Sequence, residues 1–200
     1  AVQSRRIGTL LRYTGLRVFQ VVALRRKDFD LVNATLTVTT GKSRIEKATM
    51  RTVPIARGLV GEIAPWTSGL GANELLFPAW GVAGSERKAS MRSDAFTNAW
   101  EEATRWGEAR EVAWKPANRK IARPEHAFRA GFQAALRVAG AAEAVIDELV
   151  GPHGKTVRAR HYVGSDSLWE PMRAAVDAMP PIDWLGPKEL PNEKVVRLRG

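Results

Sequence analysis

The feature that most constrains the fold of this chain is a short stretch of alternating hydrophobicity between segments of helical period. Over Thr35–Thr39 threonines alternate with apolar residues, and Thr49–Ile55 is again rich in β-branched residues. Gly41–Ser43, between them, is typical of a turn. Two alternating runs joined by a turn predict a β-hairpin. We therefore expect one small antiparallel sheet with Lys42 at or beside its turn.

Helical spacing dominates the rest of the chain. Ser4–Tyr13 predicts a helix that ends at Gly15, and Arg17–Leu24 predicts a second one. Further helices are predicted over Ala56–Trp66, Met91–Trp106, Glu125–Ala139, Ala141–Val150 and Asp166–Met179. The expected fold class is α+β, mainly α, with one small antiparallel sheet.

The composition excludes several classes of protein. With 200 residues, of which 44% are hydrophobic, the chain can bury a core of its own. There are no cysteines, which excludes a disulfide framework, thiolate metal sites and a cysteine nucleophile. No apolar run is long enough for a membrane-spanning helix, and Ala1–Arg6 lacks the apolar centre of a signal peptide. We expect a soluble, intracellular protein with no membrane partner.

The charge favours a polyanionic partner. The chain has 31 Lys and Arg against 21 Asp and Glu, a formal charge of +10. The densest basic run lies in a loop-like stretch and surrounds Trp114. Its members, the predicted DNA-binding residues, are Arg110, Lys115, Arg119, Lys120 and Arg123. Such cations can contact phosphates while the indole stacks or wedges, although the run is also compatible with a solvated loop.

Several polar residues stand out, although each is a weak signal alone. His126 and Arg129 are three apart and so share one face of a predicted helix. Arg17 follows a helix break at Gly15, and His153 follows a second break. Tyr162 lies nine residues after His153. Each of them could equally be a packing or solvated residue, so only their order along the chain is informative.

In this order the motifs resemble the catalytic domain of the tyrosine recombinases, the lambda-integrase-like site-specific DNA recombinases. Thr14–Val18 is similar to the family's first arginine motif, and Lys42 falls in the hairpin that carries its lysine. His126–Arg129 resembles the histidine-x-x-arginine box, and Gly140 falls where the family places a helix-ending glycine. Gly151-Pro152-His153 resembles the glycine-histidine motif, and Tyr162 falls where the family has its nucleophile.

The resemblance implies a role for each of these residues. The arginines would hold the scissile phosphate with bidentate donors that keep their charge. Tyr162 would attack the phosphorus and form a covalent 3′-phosphotyrosyl intermediate, with His126 as general base and His153 bonded to the phosphate. Lys42 would protonate the leaving 5′ oxygen. The implied catalytic set is Arg17, Lys42, His126, Arg129, His153 and Tyr162, with no metal or nucleotide cofactor.

Two positions depart from the family pattern. Gln20 stands where the family has a glutamate, three residues after the first arginine, so a neutral hydrogen bond replaces an ion pair. Pro152 separates the glycine of the glycine-histidine motif from His153, a one-residue insertion.

The resemblance also implies an organisation and partners. Residues 1–165 are the expected catalytic domain, and 166–200 are a C-terminal helix and tail. The 16 residues before Arg17 leave no room for the family's N-terminal core-binding domain, so we expect a C-terminal fragment of a longer recombinase. The expected partner is a double-stranded DNA recombination site, bound by a homotetramer that is monomeric when free. A cytoplasmic, nucleoid-associated location in a bacterium or phage host follows.

Alternatives remain open for residues and for function. Lys47 competes with Lys42, and Tyr13 is the only other tyrosine. The function could instead be type IB topoisomerase-like nicking and resealing, or DNA binding without catalysis. The last predicted helix carries an apolar stripe that either packs on its own domain or docks into a neighbouring protomer. We predict docking, since Trp and Met are frequent interface anchors. The stripe comprises Leu168, Trp169, Met172, Ala175, Val176 and Met179.

Overall fold

The computed structural model describes residues 2–40, 49–79, 96–102, 124–151 and 165–179. The helices are α1 (Val2–Thr14), α2 (Val18–Val22), α3 (Arg57–Thr67), α4 (96–102), α5 (Pro124–Val138), α6 (Glu143–Val150) and α7 (Trp169–Asp177). The strands are β1 (Phe29–Asp30), β2 (Thr35–Thr40) and β3 (Thr49–Pro54), and short 3-10 turns cover Arg26–Asp28 and Ser165–Leu168. The predicted α+β, mainly helical class is confirmed.

The predicted hairpin forms, and it gains a third strand. β2 pairs antiparallel with β3, with Leu36 opposite Val53, and β1 pairs with the other edge of β2. Leu36, Val38 and Val53 are buried while Thr37 and Thr52 are not, which is the period-two pattern that predicted the strands. β1 has only two residues, too few for alternation to reveal it.

The core lies where the helices meet the buried face of the sheet. α1 packs against α5, and α6 packs against both α5 and α7. α5 ends at Gly140, whose φ is +80°, and the amide of Ala141 donates to the carbonyl of Leu136 at 2.9 Å. This is the backbone geometry for which helices use a C-terminal glycine, so the helix-ending role of Gly140 is confirmed.

The C-terminal helix packs within the chain, which corrects the prediction that it docks into a neighbouring protomer. α7 lies against β3 and α6, and Met172, Val176 and Met179 are buried in the common core. Arg173, only 7% exposed, donates to the carbonyls of Asn33, Ala34 and Ile55 at 2.8–3.0 Å. Most of the apolar stripe is therefore buried within the chain, and Leu168 and Trp169 are partly buried against the same core.

No helix among the described residues has the length and apolar character needed to cross a membrane.

The predicted helix over 91–106 is described in part. The structure describes residues 96–102 of it, and these are helical. Phe96 and Trp100 from this helix contact Phe128 of α5, with ring centroids 6.4 and 5.1 Å away. α4 therefore packs beside the first turns of α5.

Candidate active site around Arg17 and Arg129

The turn that presents Arg17 is set by Gly15. This glycine has φ +60°, a conformation in which a Cβ is strained. A Cβ built there would lie 2.3 Å from Cδ1 of Phe132. The sequence therefore places a glycine at the one point where the chain leaves α1 and passes directly under a ring of α5.

Gln20 ties the Arg17 turn to the sheet. Its Oε1 accepts a hydrogen bond from the amide of Arg17 at 3.0 Å, and its Nε2 donates to the carbonyl of Thr39 at 3.1 Å. Gln20 is buried, so both bonds are partly shielded from water. The neutral hydrogen bond expected in place of an ion pair is therefore present, and it joins the Arg17 turn to the strand that leads toward Lys42.

Arg129 connects three separate parts of the chain. It lies on α5, three residues after the exposed His126, and is only 7% exposed. Its Nη1 donates to the carbonyl of Gly15 at 2.8 Å, and its Nη2 donates to the carbonyl of Val150 at 3.0 Å. The histidine-x-x-arginine face, the Arg17 turn and the end of α6 are thus brought together by one guanidinium.

A third arginine belongs to this cluster, and the sequence reasoning missed it. Arg51 of β3 donates to the carbonyls of Glu148 and Leu149 from Nη1, at 2.8 and 2.9 Å, and to Val150 from Nη2, at 3.2 Å. The sequence did contain an indication of its position: Arg51 is two residues before the buried Val53 on an alternating strand, so both side chains lie on the same face of the sheet. A charged residue on the buried face of a strand needs partners, and here the end of α6 supplies them.

The electrostatics show that the guanidinium groups are close to one another. Burial and, to a smaller extent, the positive charges of Arg17 and Arg51 together lower the pKa of Arg129 to about 10. The pKa of Arg51 is also lowered to about 10, mainly by burial, with Glu148 opposing the shift and Arg17 adding to it. The charged form of each is therefore disfavoured by its surroundings, and a bound anion would relieve this cost.

The structure brings Arg17 and Arg129 close together and places the exposed His126 one turn before Arg129 on α5. Lys42, His153 and Tyr162 lie outside the described residues, as does Lys47. The predicted DNA-binding residues also lie outside them: Arg110, Lys115, Arg119, Lys120 and Arg123. Within the described ranges, no group of three or more His, Asp or Glu side chains could hold a metal ion.

Comparisons with known proteins agree on the fold. No family model matches the chain, and the curated proteins include no significant match. Among solved structures, the integrase from mycobacterium phage Brujita superposes with a TM-score of 0.61 over 88% of this chain, at 20% identity. The chain has the fold of a tyrosine recombinase catalytic domain. The resemblance seen in the sequence is therefore confirmed at the level of fold.

Two other solved structures share this recombinase fold. XerA recombinase superposes with a TM-score of 0.51 over 84% of the chain at 20% identity. The Tn1549 transposon integrase, solved in complex with circular intermediate DNA, superposes with a TM-score of 0.54 over 85% of the chain at 17% identity. This chain covers only 51–57% of these three recombinases, so it spans about half of their length.

Proposed function

We propose that this chain is the catalytic part of a site-specific DNA recombinase that cleaves and rejoins strands through a covalent 3′-phosphotyrosyl intermediate at Tyr162. The observation that supports it most is the link from Arg129 to the carbonyls of Gly15 and Val150. This link joins the first arginine motif and the histidine-x-x-arginine box to Val150, the residue that precedes the glycine-histidine motif. Residues that are far apart in the sequence are thus close together around Arg129, as binding of one phosphate by several of them would require.

In the proposed reaction the arginines bind the scissile phosphate. Attack at phosphorus concentrates negative charge on the non-bridging oxygens, and fixed guanidinium donors stabilise that charge as it develops. Arg129 is held rigidly by its two carbonyl partners, and Arg17 is held by the Gly15 turn and by Gln20. The guanidinium of Arg129 and the backbone that carries Arg17 are therefore held in place before a substrate binds.

The proposed strand cleavage balances its bonds and protons. The phenol oxygen of Tyr162 forms a bond to phosphorus as the bond from phosphorus to the 5′ oxygen breaks. His126 takes the phenol proton, His153 donates a hydrogen bond to the phosphate, and Lys42 protonates the departing 5′ oxygen. The products are a 3′-phosphotyrosyl link and a free 5′-hydroxyl, and attack by a second 5′-hydroxyl reverses the step.

The proposed substrate is duplex DNA. The charge of +10 suits a polyanion, and the Tn1549 integrase that shares this fold was solved with DNA. The basic residues from Arg110 to Arg123 are proposed to contact phosphates outside the cleaved bond. On DNA the protein is proposed to act as a homotetramer.

Covalent trapping tests the proposal. The binding site is first identified by selecting the fragments that the protein binds from a random-sequence duplex library. A series of duplexes containing that site, each with a single nick at a different position, then serves as suicide substrates. The wild-type protein should become attached to DNA, and Tyr162→Phe should bind equally well without attachment. Arg17→Ala should slow attachment by about 10²–10³-fold. Attachment by Tyr162→Phe would show that another residue, such as Tyr13, is the nucleophile. No attachment by the wild type would contradict the proposed function.

A further inference from the structure

Arg51 binds the C-terminal end of α6 from the neighbouring sheet. The last carbonyls of a helix have no amide partner within the helix. Arg51 donates to three of them, those of Glu148, Leu149 and Val150. A planar guanidinium with several fixed donors can span consecutive carbonyls, whereas an ammonium group is a single point of charge.

One of these carbonyls is shared with the candidate active site. The oxygen of Val150 accepts from Nη2 of Arg51 at 3.2 Å and from Nη2 of Arg129 at 3.0 Å. The next residue, Gly151, has φ +82°, and a Cβ there would lie 3.0 Å from Cζ of Arg51. The backbone at 150–151 is therefore held between the two arginines, at the start of the segment that leads to His153.

From this shared carbonyl we propose that Arg51 is a positioning residue of the arginine cluster: it fixes the end of α6, and through Val150 it fixes the guanidinium of Arg129 for binding a phosphate. The role assigned to Arg129 rests on the proposed function. Arg51 itself is not placed against the substrate, because its three carbonyl bonds direct it toward α6.

The electrostatics are consistent with this role. Burial, and to a smaller extent the charges of neighbouring arginines, lower the pKa values of Arg51 and Arg129, so the charged forms of both are disfavoured where the three guanidinium groups lie together. The negative end of the α6 dipole partly compensates the charge, and a bound phosphate would compensate it further. A cluster built in this way should be more stable with an anion than without one.

Three variants separate positioning from charge and from general stability. Arg51→Lys keeps the charge but cannot span three carbonyls, and Arg51→Met loses both properties. Arg173→Met is the matched control, because it also removes one positive charge and one arginine that donates to three carbonyls. Those carbonyls belong to residues 33, 34 and 55 rather than to α6.

Two measurements are made on each variant. The first is the rise in Tm caused by inorganic phosphate at constant ionic strength, expected to be about 2–4 °C for the wild type. The second is the rate of covalent attachment to the nicked duplex at saturating DNA. Arg51→Lys and Arg51→Met should both lose the phosphate effect and slow attachment by about 100-fold. Arg173→Met should have a lower Tm but keep the phosphate effect and the attachment rate.

Other results would contradict the positioning role of Arg51 or the proposed function. Wild-type behaviour of Arg51→Lys would show that the carbonyl contacts are not needed, and equal losses in Arg173→Met would reduce Arg51 to a stabilising contact. A wild type whose Tm does not respond to phosphate would also overturn the proposal. A wild type that shows the Arg51-dependent phosphate effect without attachment would contradict the proposed function while supporting the positioning role.

Discussion

The ring of Phe132 occupies the space in which a side chain at Gly15 would begin, 2.3 Å from the position of a Cβ. This contact lets α1 and α5 approach closely enough for the carbonyl of Gly15 to reach Arg129. The geometry of the first arginine motif therefore depends on a residue on a different helix, more than 100 positions later in the chain.

Gly15→Ala is expected to destabilise the protein by about 2–4 kcal/mol, because it adds strain at positive φ and a clash with Phe132. Chemical denaturation measures the change. Gly61→Ala is the control: Gly61 lies in α3 with nothing near its Cβ position, so this change should stabilise the protein by about 0.5–1 kcal/mol. Equal stability of the two variants would contradict the inferred contact.

Gln20→Glu restores the residue typical of the family, yet it is expected to lower stability by about 1–2 kcal/mol. The carboxylate can still accept from the amide of Arg17, but it cannot donate to the carbonyl of Thr39. A protonated carboxyl can donate, so the folded state raises the pKa of the introduced group. The deficit should therefore shrink as the pH falls toward about 4. Denaturation at several pH values tests this, and a variant more stable than the wild type at pH 7 would refute it.

Truncation after Ser165 is expected to destabilise the domain by at least about 5 kcal/mol, since it exposes the surface that covers Met172, Val176 and Met179. It also leaves the carbonyls bound by Arg173 without their donor. A chain ending at Met179 retains α7 and is the control. Thermal unfolding of both is the measurement, and a truncated chain with the Tm of the control would contradict the packing of α7.

DNA binding is expected to weaken steeply with salt, because phosphate contacts release counterions. Replacing both Arg119 and Lys120 by Ala should lower the slope of log Kd against log salt by about 2. Arg137→Ala is the control, since Arg137 is already paired with Glu143 at 2.7 Å. A flat salt response of the wild type, or equal effects of both changes, would argue against the basic run as a DNA contact.

The sequence was sufficient to predict the helices and strands in which a hydrophobic pattern repeats along the chain. Alternation predicted β2 and β3, and helical spacing predicted α1, α3, α5 and α6 close to their observed ends. The ordered motifs assigned Arg17 and Arg129 to one site, and in the structure Arg129 binds the carbonyl of Gly15 in the Arg17 turn. In these cases the local spacing already contains the information, because the buried face of an element repeats with the period of that element.

The sequence was insufficient to predict contacts in which a side chain binds a backbone group of another element. Arg51 and Arg173 each bind three carbonyls on other elements, and carbonyls carry no sequence signature. The direction of docking of α7 was predicted wrongly for the same reason. Its apolar stripe is equally suited to a partner or to the chain itself, and the bonds from Arg173 to residues 33, 34 and 55 appear only in the folded structure.

The carbonyls at the end of α6 have a property that carboxylates lack. A glutamate facing an arginine loses its charge in acid, whereas a peptide carbonyl has no proton to gain between pH 4 and 9. Electrostatic compensation from the helix end at Leu149 and Val150 should therefore be the same in a mildly acidic and a mildly alkaline cell. It should also survive substitution of those side chains, provided that the helix continues to end at Gly151.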